Sequence, residues 1–212
     1  MPWPMVHFAI ADNVWRGDPC PYALIGSIAP DAIHARVGTT REDKGRTHFM
    51  ENAVMPTVAQ IGHHAVHYWS RNNSAEWKAF VQGYISHVYA DLRWTETLYA
   101  EFESSYREDT ASMRSTYNRE VSQIEFNLMR SEAWTERVIA KLQEVEAFAM
   151  PPLIEADEIE AYSNAKIEWL LNASNEPGIT PIYFEEEKVR TFISYTSEEL
   201  HRLFKEWGIT VI

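Results

Sequence analysis

Segment 75–103 most constrains the fold, because it predicts a long helix that begins after the N-cap candidate Ser74. His87 and Asp91 lie four residues apart and therefore share one face of this helix, beside its apolar sector and away from its charged one. A buried carboxylate must be paired, because an isolated charge in the interior costs roughly several kcal/mol. The pair predicts either a metal site or a metal-free His–Asp hydrogen bond inside the protein.

The rest of the chain also has helical periodicity, and we find no stretch of strand-like alternation longer than a few residues. The predicted helices are 4–15, a helix near 50–70, 75–103, 109–130, 132–148, 155–173, about 184–194, and 197–207. Segments 16–23 and 36–47 are predicted loops, and the apolar segment 24–35 is predicted to turn at Pro30-Asp31. The sequence therefore predicts an all-α protein.

Pro151-Pro152 interrupts the run of predicted helices and suggests how the chain is organised. We predict a metal-binding helical bundle over residues 1–150. Residues 151–212 are predicted to form a helical extension that packs on the same domain.

The composition allows one substantial core and excludes several classes of protein. The 212 residues are 45% hydrophobic, which suffices for a single domain. The formal net charge of −12 disfavours a nucleic-acid partner, which would require a basic surface. No apolar run approaches the roughly 20 residues of a membrane span, and the N-terminal segment lacks a signal-peptide pattern. We therefore expect a cytoplasmic protein without stable membrane insertion; the sequence leaves its oligomeric state open.

Three earlier residues could join His87 and Asp91 in a metal site, although each has a simpler interpretation. His7 lies among apolar residues and could be an ordinary core histidine. Asp31 follows Pro30 and could be a helix N-cap. His48 follows the polar segment 36–47 and could be a loop histidine.

Two other groups of residues are also suggestive. His63, His64 and His67 include a zinc-like spacing, but they point away from the apolar stripe of their helix and are predicted to be a solvated face. The basic residues Arg41, Lys44 and Arg46 could hold a substrate phosphate, or could belong to a solvated loop.

Four sequence blocks together resemble the bacterial zinc-dependent phospholipase C family, which shares a superfamily with single-strand-specific zinc nucleases. The blocks are PWPMVHFAIA, LIGSIAPDAIH, DKGRTHF and GYISHVYADLRW, which contain His7, Asp31, His48, and His87 with Asp91. They cover residues 2–96, a weaker similarity covers 117–134, and residues 150–212 resemble no family that we can name.

The resemblance implies a helical bundle of the phospholipase C/nuclease type, with a metal cluster at one end. It implies that Asp31, His48, His87 and Asp91 bind one zinc ion, and that Asp91 bridges to a second ion that His7 also binds. Asp31 would also be the candidate general base. The implied activity is hydrolysis of a small phosphoester, a phosphodiester or monoester, by metal-bound hydroxide.

The sequence also departs from the family pattern. The family uses an N-terminal tryptophan as a ligand, whereas Trp3 is internal here, and the only histidine after Asp91 is His201. The nearest substitutes for the family's downstream ligands are Glu120, Glu125 and Asn118, of which Asn118 and Glu125 share a helix face. We therefore expect one or two ions, preferably zinc, although other divalent metals suit such ligands. Two alternatives are a non-catalytic helical protein with a structural or regulatory metal, and a metal-free polar network.

Overall fold

A computed structural model describes residues 2–211, which contain ten α-helices and no β-strand. The helices are α1 (Pro4–Val14), α2 (Pro21–Gly26), α3 (Arg41–Thr47), α4 (Val58–Trp69), α5 (Ala75–Trp94), α6 (Ala100–Ser105), α7 (Thr110–Ser131), α8 (Thr135–Glu144), α9 (Ala156–Leu171) and α10 (Glu186–Glu206). Two 3₁₀ segments span Ala29–Ala35 and Ala173–Asn175, and a π-helical segment spans Thr95–Tyr99. The all-α prediction is confirmed, and the phospholipase C/nuclease type of bundle stays a prediction.

Helix α5 lies at the centre of the molecule. It begins as predicted after Ser74, whose hydroxyl accepts a hydrogen bond from the backbone N–H of Trp77. Residues 79–92 are all buried, because α1, α2, α4 and α10 pack around the helix. His87 and Asp91 therefore lie in the interior of the protein.

Glycine allows α2 and α5 to approach until their backbones touch. A Cβ atom on Gly83 would lie 2.1 Å from the carbonyl oxygen of Ala23, and one on Gly26 would lie 2.2 Å from that of Phe80. Real Cβ atoms do not approach backbone so closely, so any larger residue would push the helices apart. The approach sets the position of His87, one turn after Gly83.

Three predicted boundaries were wrong. More than half of the predicted loop 36–47 is helix α3, which begins with a capping box formed by Thr40 and Asp43. The predicted helices 184–194 and 197–207 form the single helix α10. Helix α8 begins at Thr135 and ends at Glu144, so it is shorter than the predicted 132–148.

The last two helices pack directly on the elements that carry candidate ligands. Helix α9 packs on the 3₁₀ segment Ala29–Ala35, and α10 packs on α1 and α5. Arg36 and Glu158 reinforce the first contact with two hydrogen bonds, of 2.5 Å and 2.8 Å. The domain boundary near residue 150 stays a prediction. Among the described residues, no helix combines the length and apolarity that crossing a membrane requires.

Candidate metal centre

Five buried side chains from four parts of the chain converge beside α5. The residues, each at most 9% exposed, are His7 of α1, Asp31 of the first 3₁₀ segment, His48 at the C-terminal end of α3, and His87 and Asp91 of α5. These are the five residues that the sequence analysis proposed as ligands. Their convergence required segments that are distant in sequence to pack around one helix.

Backbone carbonyl groups orient His48 and His87. The Nδ1 atom of His87 lies 2.8 Å from the carbonyl oxygen of Ser27, and that of His48 lies 3.0 Å from the carbonyl oxygen of Lys44. A carbonyl oxygen can only accept, so both Nδ1 atoms carry a hydrogen. In neutral rings the Nε2 lone pairs are then free, and the two Nε2 atoms lie 3.3 Å apart. Metal-binding histidines usually have this arrangement.

Asp91 lies between the histidines with both carboxylate oxygens available. Its Oδ2 atom is 3.2 Å from Nε2 of His48 and 3.6 Å from Nε2 of His87. Its Oδ1 atom is 3.7 Å from Nε2 of His7. None of these contacts has hydrogen-bonding geometry, and neither oxygen has a hydrogen-bond partner among residues 2–211. A fully buried carboxylate in this state requires a cation.

His7 has the properties of a neutral ligand. Its ring stacks on that of His87, with centroids 3.9 Å apart and an angle of 14° between the planes. Burial, with His87 nearby, lowers the pKa of His7 to about 3, so the ring is uncharged at neutral pH. Neither ring nitrogen has a hydrogen-bond partner in the described part of the chain.

The charges of the cluster favour one cation among the two carboxylates. Burial opposes ionisation of Asp31 and Asp91. It is outweighed at Asp31 by Lys44 with His48 and His87, and at Asp91 by His87 and His48, so the pKa of each carboxyl lies well below its usual value. Burial would also lower the pKa of His48, but the two carboxylates raise it to about 9. The cation at this position is therefore either a proton on His48 or a metal ion.

Two overlapping groups of side chains could hold a metal ion. One consists of His7, His87 and Asp91, and the other of Asp31, His48 and His87. The potential ligand atoms of each group lie within 4.8 Å of one another. These side chains therefore fit a divalent metal ion, and their ligand types do not specify zinc.

A pocket of about 270 Å³ connects Asp31 with the surface, and its lining includes Trp3, Lys44, Tyr162 and Lys166. The Nζ atom of Lys44 lies 3.0 Å from Oδ1 of Asp31. That of Lys166 lies over the rings of Trp3 and Tyr162, at 5.5 Å and 5.3 Å from their centroids. The lining of the pocket therefore includes two ammonium groups, of which that of Lys44 contacts the carboxylate.

Helix α9 supplies two residues to this pocket that the sequence analysis missed. Tyr162 and Lys166 belong to residues 150–212, for which no resemblance was found. A lysine on an amphipathic helix is so common that its presence alone gives no signal of a site.

The two residues suggested as additional ligands lie outside both metal groups. Asn118 is exposed on α7 and lines a separate cleft. Glu125 is fully buried, and its Oε2 atom accepts a 2.9 Å hydrogen bond from the backbone N–H of Met5. Burial raises the pKa of Glu125 to about 8. Their role in metal binding stays a prediction.

The basic residues that were predicted to hold phosphate lie on α3, and all three line a cleft of about 650 Å³. Lys44 points into the Asp31 pocket, Arg46 pairs with Asp43, and Arg41 lines the separate cleft that contains Asn118. Only Lys44 is therefore in contact with the candidate metal centre.

The three histidines of α4 belong to neither of the two candidate metal groups. His63 and His67 are exposed, as predicted, whereas His64 is half-buried and stacks on Phe49 with ring centroids 4.0 Å apart. The zinc-like spacing on α4 therefore does not form part of the candidate site.

Comparisons with protein-family models, curated protein sequences and solved structures gave no match to this chain.

Proposed function

We propose that this protein is a metal-dependent phosphoester hydrolase related to the zinc-dependent phospholipase C family. The observation that carries the proposal is the convergence of the Nε2 atoms of His48 and His87, 3.3 Å apart, beside the unpartnered carboxylate of Asp91. The four sequence blocks supply this cluster in the order expected of the family.

Asp31, His48, His87 and Asp91 would hold the first ion, and His7 with the second oxygen of Asp91 would hold the other. The two Asp91 oxygens lie near different histidines, Oδ1 near His7 and Oδ2 near His48, which supports such a bridging role. Zinc suits the three imidazoles and two carboxylates. When bound, a metal of this kind acidifies water and offsets the negative charge of a phosphoryl group.

The residues around the pocket have matching roles. Lys44 and Lys166 would bind the phosphate oxygens, because their ammonium groups face the same pocket of about 270 Å³. Asp31 lines the pocket and is ionised at neutral pH, since its pKa is held well below the usual value. As a carboxylate it can orient a water molecule, and it is the candidate general base.

A structural or regulatory metal is the alternative, and the burial of the cluster favours it. His48, His87 and Asp91 are at most 1% exposed, and the ammonium of Lys44 covers one oxygen of Asp31. Such a site would stabilise the fold without turnover.

The deciding experiment compares wild type with His87→Ala and with His63→Ala, which changes an exposed histidine outside the cluster. Bound metal is measured by mass spectrometry. Hydrolysis of bis-p-nitrophenyl phosphate and p-nitrophenyl phosphate is measured with and without a chelator. We expect one or two ions per chain in wild type and in His63→Ala, together with chelator-sensitive hydrolysis. His87→Ala should lose metal and at least about 100-fold in rate.

Each other outcome has a definite meaning. If the metal-loaded protein hydrolyses neither ester and loses thermal stability on chelation, the hydrolase proposal is contradicted and a structural metal is supported. A protein that purifies without metal and gains no stability from added zinc would contradict both and favour a metal-free polar network.

A further inference from the structure

A second cleft, of about 770 Å³, lies beside the Asp31 pocket, and Tyr117 lines both. Its polar lining includes Arg41 from α3, and Arg114 and Asn118 from α7. No aspartate or glutamate lines it, although the whole chain has a formal net charge of −12. The cleft is therefore a local positive region on an acidic protein.

The two arginines of the cleft form no ion pair with an acidic side chain, in contrast to several other arginines of the described chain. Arg130 pairs with Glu176 at 2.7 Å and Arg137 pairs with Asp12 at 2.8 Å. By contrast, neither Arg41 nor Arg114 forms an ion pair with a carboxylate of the described chain. Two guanidinium groups from different helices are thus available to an anion from outside.

The cleft is also linked to the candidate metal centre. Arg41 precedes Lys44 by one helical turn, so both side chains lie on the same side of α3. Thr95, in the wall of the cleft, donates a 2.8 Å hydrogen bond to the backbone carbonyl of Asp91. Thr95 begins the π-helical segment, a type of distortion that frequently accompanies functional sites. A ligand could therefore reach from the Asp31 pocket into the cleft.

We propose that the cleft binds a second phosphate group of the substrate, which is then a small bisphosphorylated molecule. The inference rests on the proposed function, since the first phosphate occupies the Asp31 pocket beside Lys44. Guanidinium groups bind phosphate oxygens in a bidentate manner, and two of them balance a dianion. Tyr99 and Met113, which are half-buried in the cleft wall, provide apolar contacts for the body of the molecule.

The test measures binding rather than turnover, so that it stands apart from the hydrolase assay. The probes are non-hydrolysable alkane bisphosphonates with ethane to hexane linkers, and butylphosphonate as the single-phosphonate reference. Affinities are measured by isothermal titration calorimetry with the full-length protein as purified. We expect the best bisphosphonate to bind at least about tenfold more tightly than butylphosphonate, because hydrogen bonds to charged groups can raise an affinity by that factor.

Variants identify the cleft as the source of this difference. Arg114→Gln and Arg41→Gln should each reduce the advantage of the bisphosphonate to about threefold or less while leaving butylphosphonate affinity unchanged. Arg119→Gln is the matched control, since Arg119 is an exposed arginine of α7 outside the cleft. It should bind both probes as wild type does.

The outcomes separate this inference from the proposed function. Equal affinity for the two probes, or an advantage that survives both arginine substitutions, would overturn the second-phosphate site. An advantage that depends on Arg41 and Arg114, in a protein that hydrolyses no phosphoester, would support the anion site and reject only the hydrolase.

Discussion

At the scale of single residues, main-chain carbonyl groups orient two of the histidines in the candidate metal centre. The carbonyl groups of Ser27 and Lys44 orient His87 and His48 through their Nδ1 atoms. A third contact fixes the same region, because the hydroxyl of Tyr84 donates a 2.6 Å hydrogen bond to the carbonyl of Thr47. The direction of each imidazole therefore follows from the position of α2 and α3 relative to α5.

Glu125 gives a pH-dependent prediction at this scale. Its pKa in the folded protein, about 8, exceeds the ordinary glutamate value of 4.5. Between these values the folded state holds a proton that the unfolded state has released, so stability falls as pH rises through this window. The glutamine side chain of Glu125→Gln cannot ionise. The free energy of unfolding of this variant should therefore not show this fall with pH, which we expect to be about 2–4 kcal/mol in wild type.

Urea unfolding at a series of pH values from 5 to 8.5 measures the difference. Glu187→Gln is the matched control, because Glu187 is exposed on α10, and it should keep the wild-type dependence. Parallel curves for Glu125→Gln and wild type would contradict the raised pKa.

The sequence predicted the five clustered residues but not the groups that surround them. The order of the sequence blocks supports the family resemblance, and the blocks contain all five of these residues: His7, Asp31, His48, His87 and Asp91. Lys166 and Arg114 are single charged residues on amphipathic helices, where such residues occur for solubility alone. Only the fold shows that they face pockets.

At the scale of elements, the contact between α2 and α5 is the most sensitive to substitution. Gly83→Ala would force its new Cβ atom into the backbone of Ala23 and Ser27. We expect a loss of at least about 2 kcal/mol in the free energy of unfolding, because rigid backbone must move. Metal affinity should fall as well, since Ser27 also anchors His87.

Gly45→Ala is the control for helix propensity, because a Cβ atom there would make an ordinary 3.7 Å contact with Met50. It should be neutral or slightly stabilising. Chemical denaturation and zinc titration of both variants provide the comparison, and a Gly83→Ala protein with wild-type values would show that α2 can shift freely.

Helices were easier to predict than their ends, for physical reasons that α10 illustrates. Thr196 and Glu199 have the spacing of a capping box, which predicted a new helix. In the structure Thr196 and Ser197 are buried within α10, and the hydroxyl of Ser197 donates to the carbonyl oxygen of Ile193 at 2.7 Å. Packing of an apolar face overrode the local capping preference.

At the scale of the whole molecule, the segment that precedes α10 locks the C-terminal region onto the central helix. Phe184 is fully buried and its ring lies parallel to that of Trp94, with centroids 5.5 Å apart. Its backbone N–H and that of Tyr183 both donate to Oε2 of Glu120, at 3.1 Å and 2.8 Å. These contacts join α5, α7 and the segment before α10.

Phe184→Ala should destabilise the protein by about 3–5 kcal/mol, because it leaves a cavity against Trp94. Ile182→Ala, two residues earlier and 73% exposed in wild type, should change stability by less than about 0.5 kcal/mol. Thermal and urea unfolding measure both. Similar stabilities for the two variants would show that this segment contributes little to the fold.

The side chains of the candidate metal centre come from distant parts of the chain, and this affects how the protein would unfold. His7 and Asp91 are far apart in sequence, so an ion bound to both would act as a reversible cross-link between α1 and α5. It would close a long loop in the way that a disulfide does, and its loss would release that loop's entropy. The melting temperature would then rise with the free metal concentration, so the same chain would be more or less durable according to how much metal its surroundings supply.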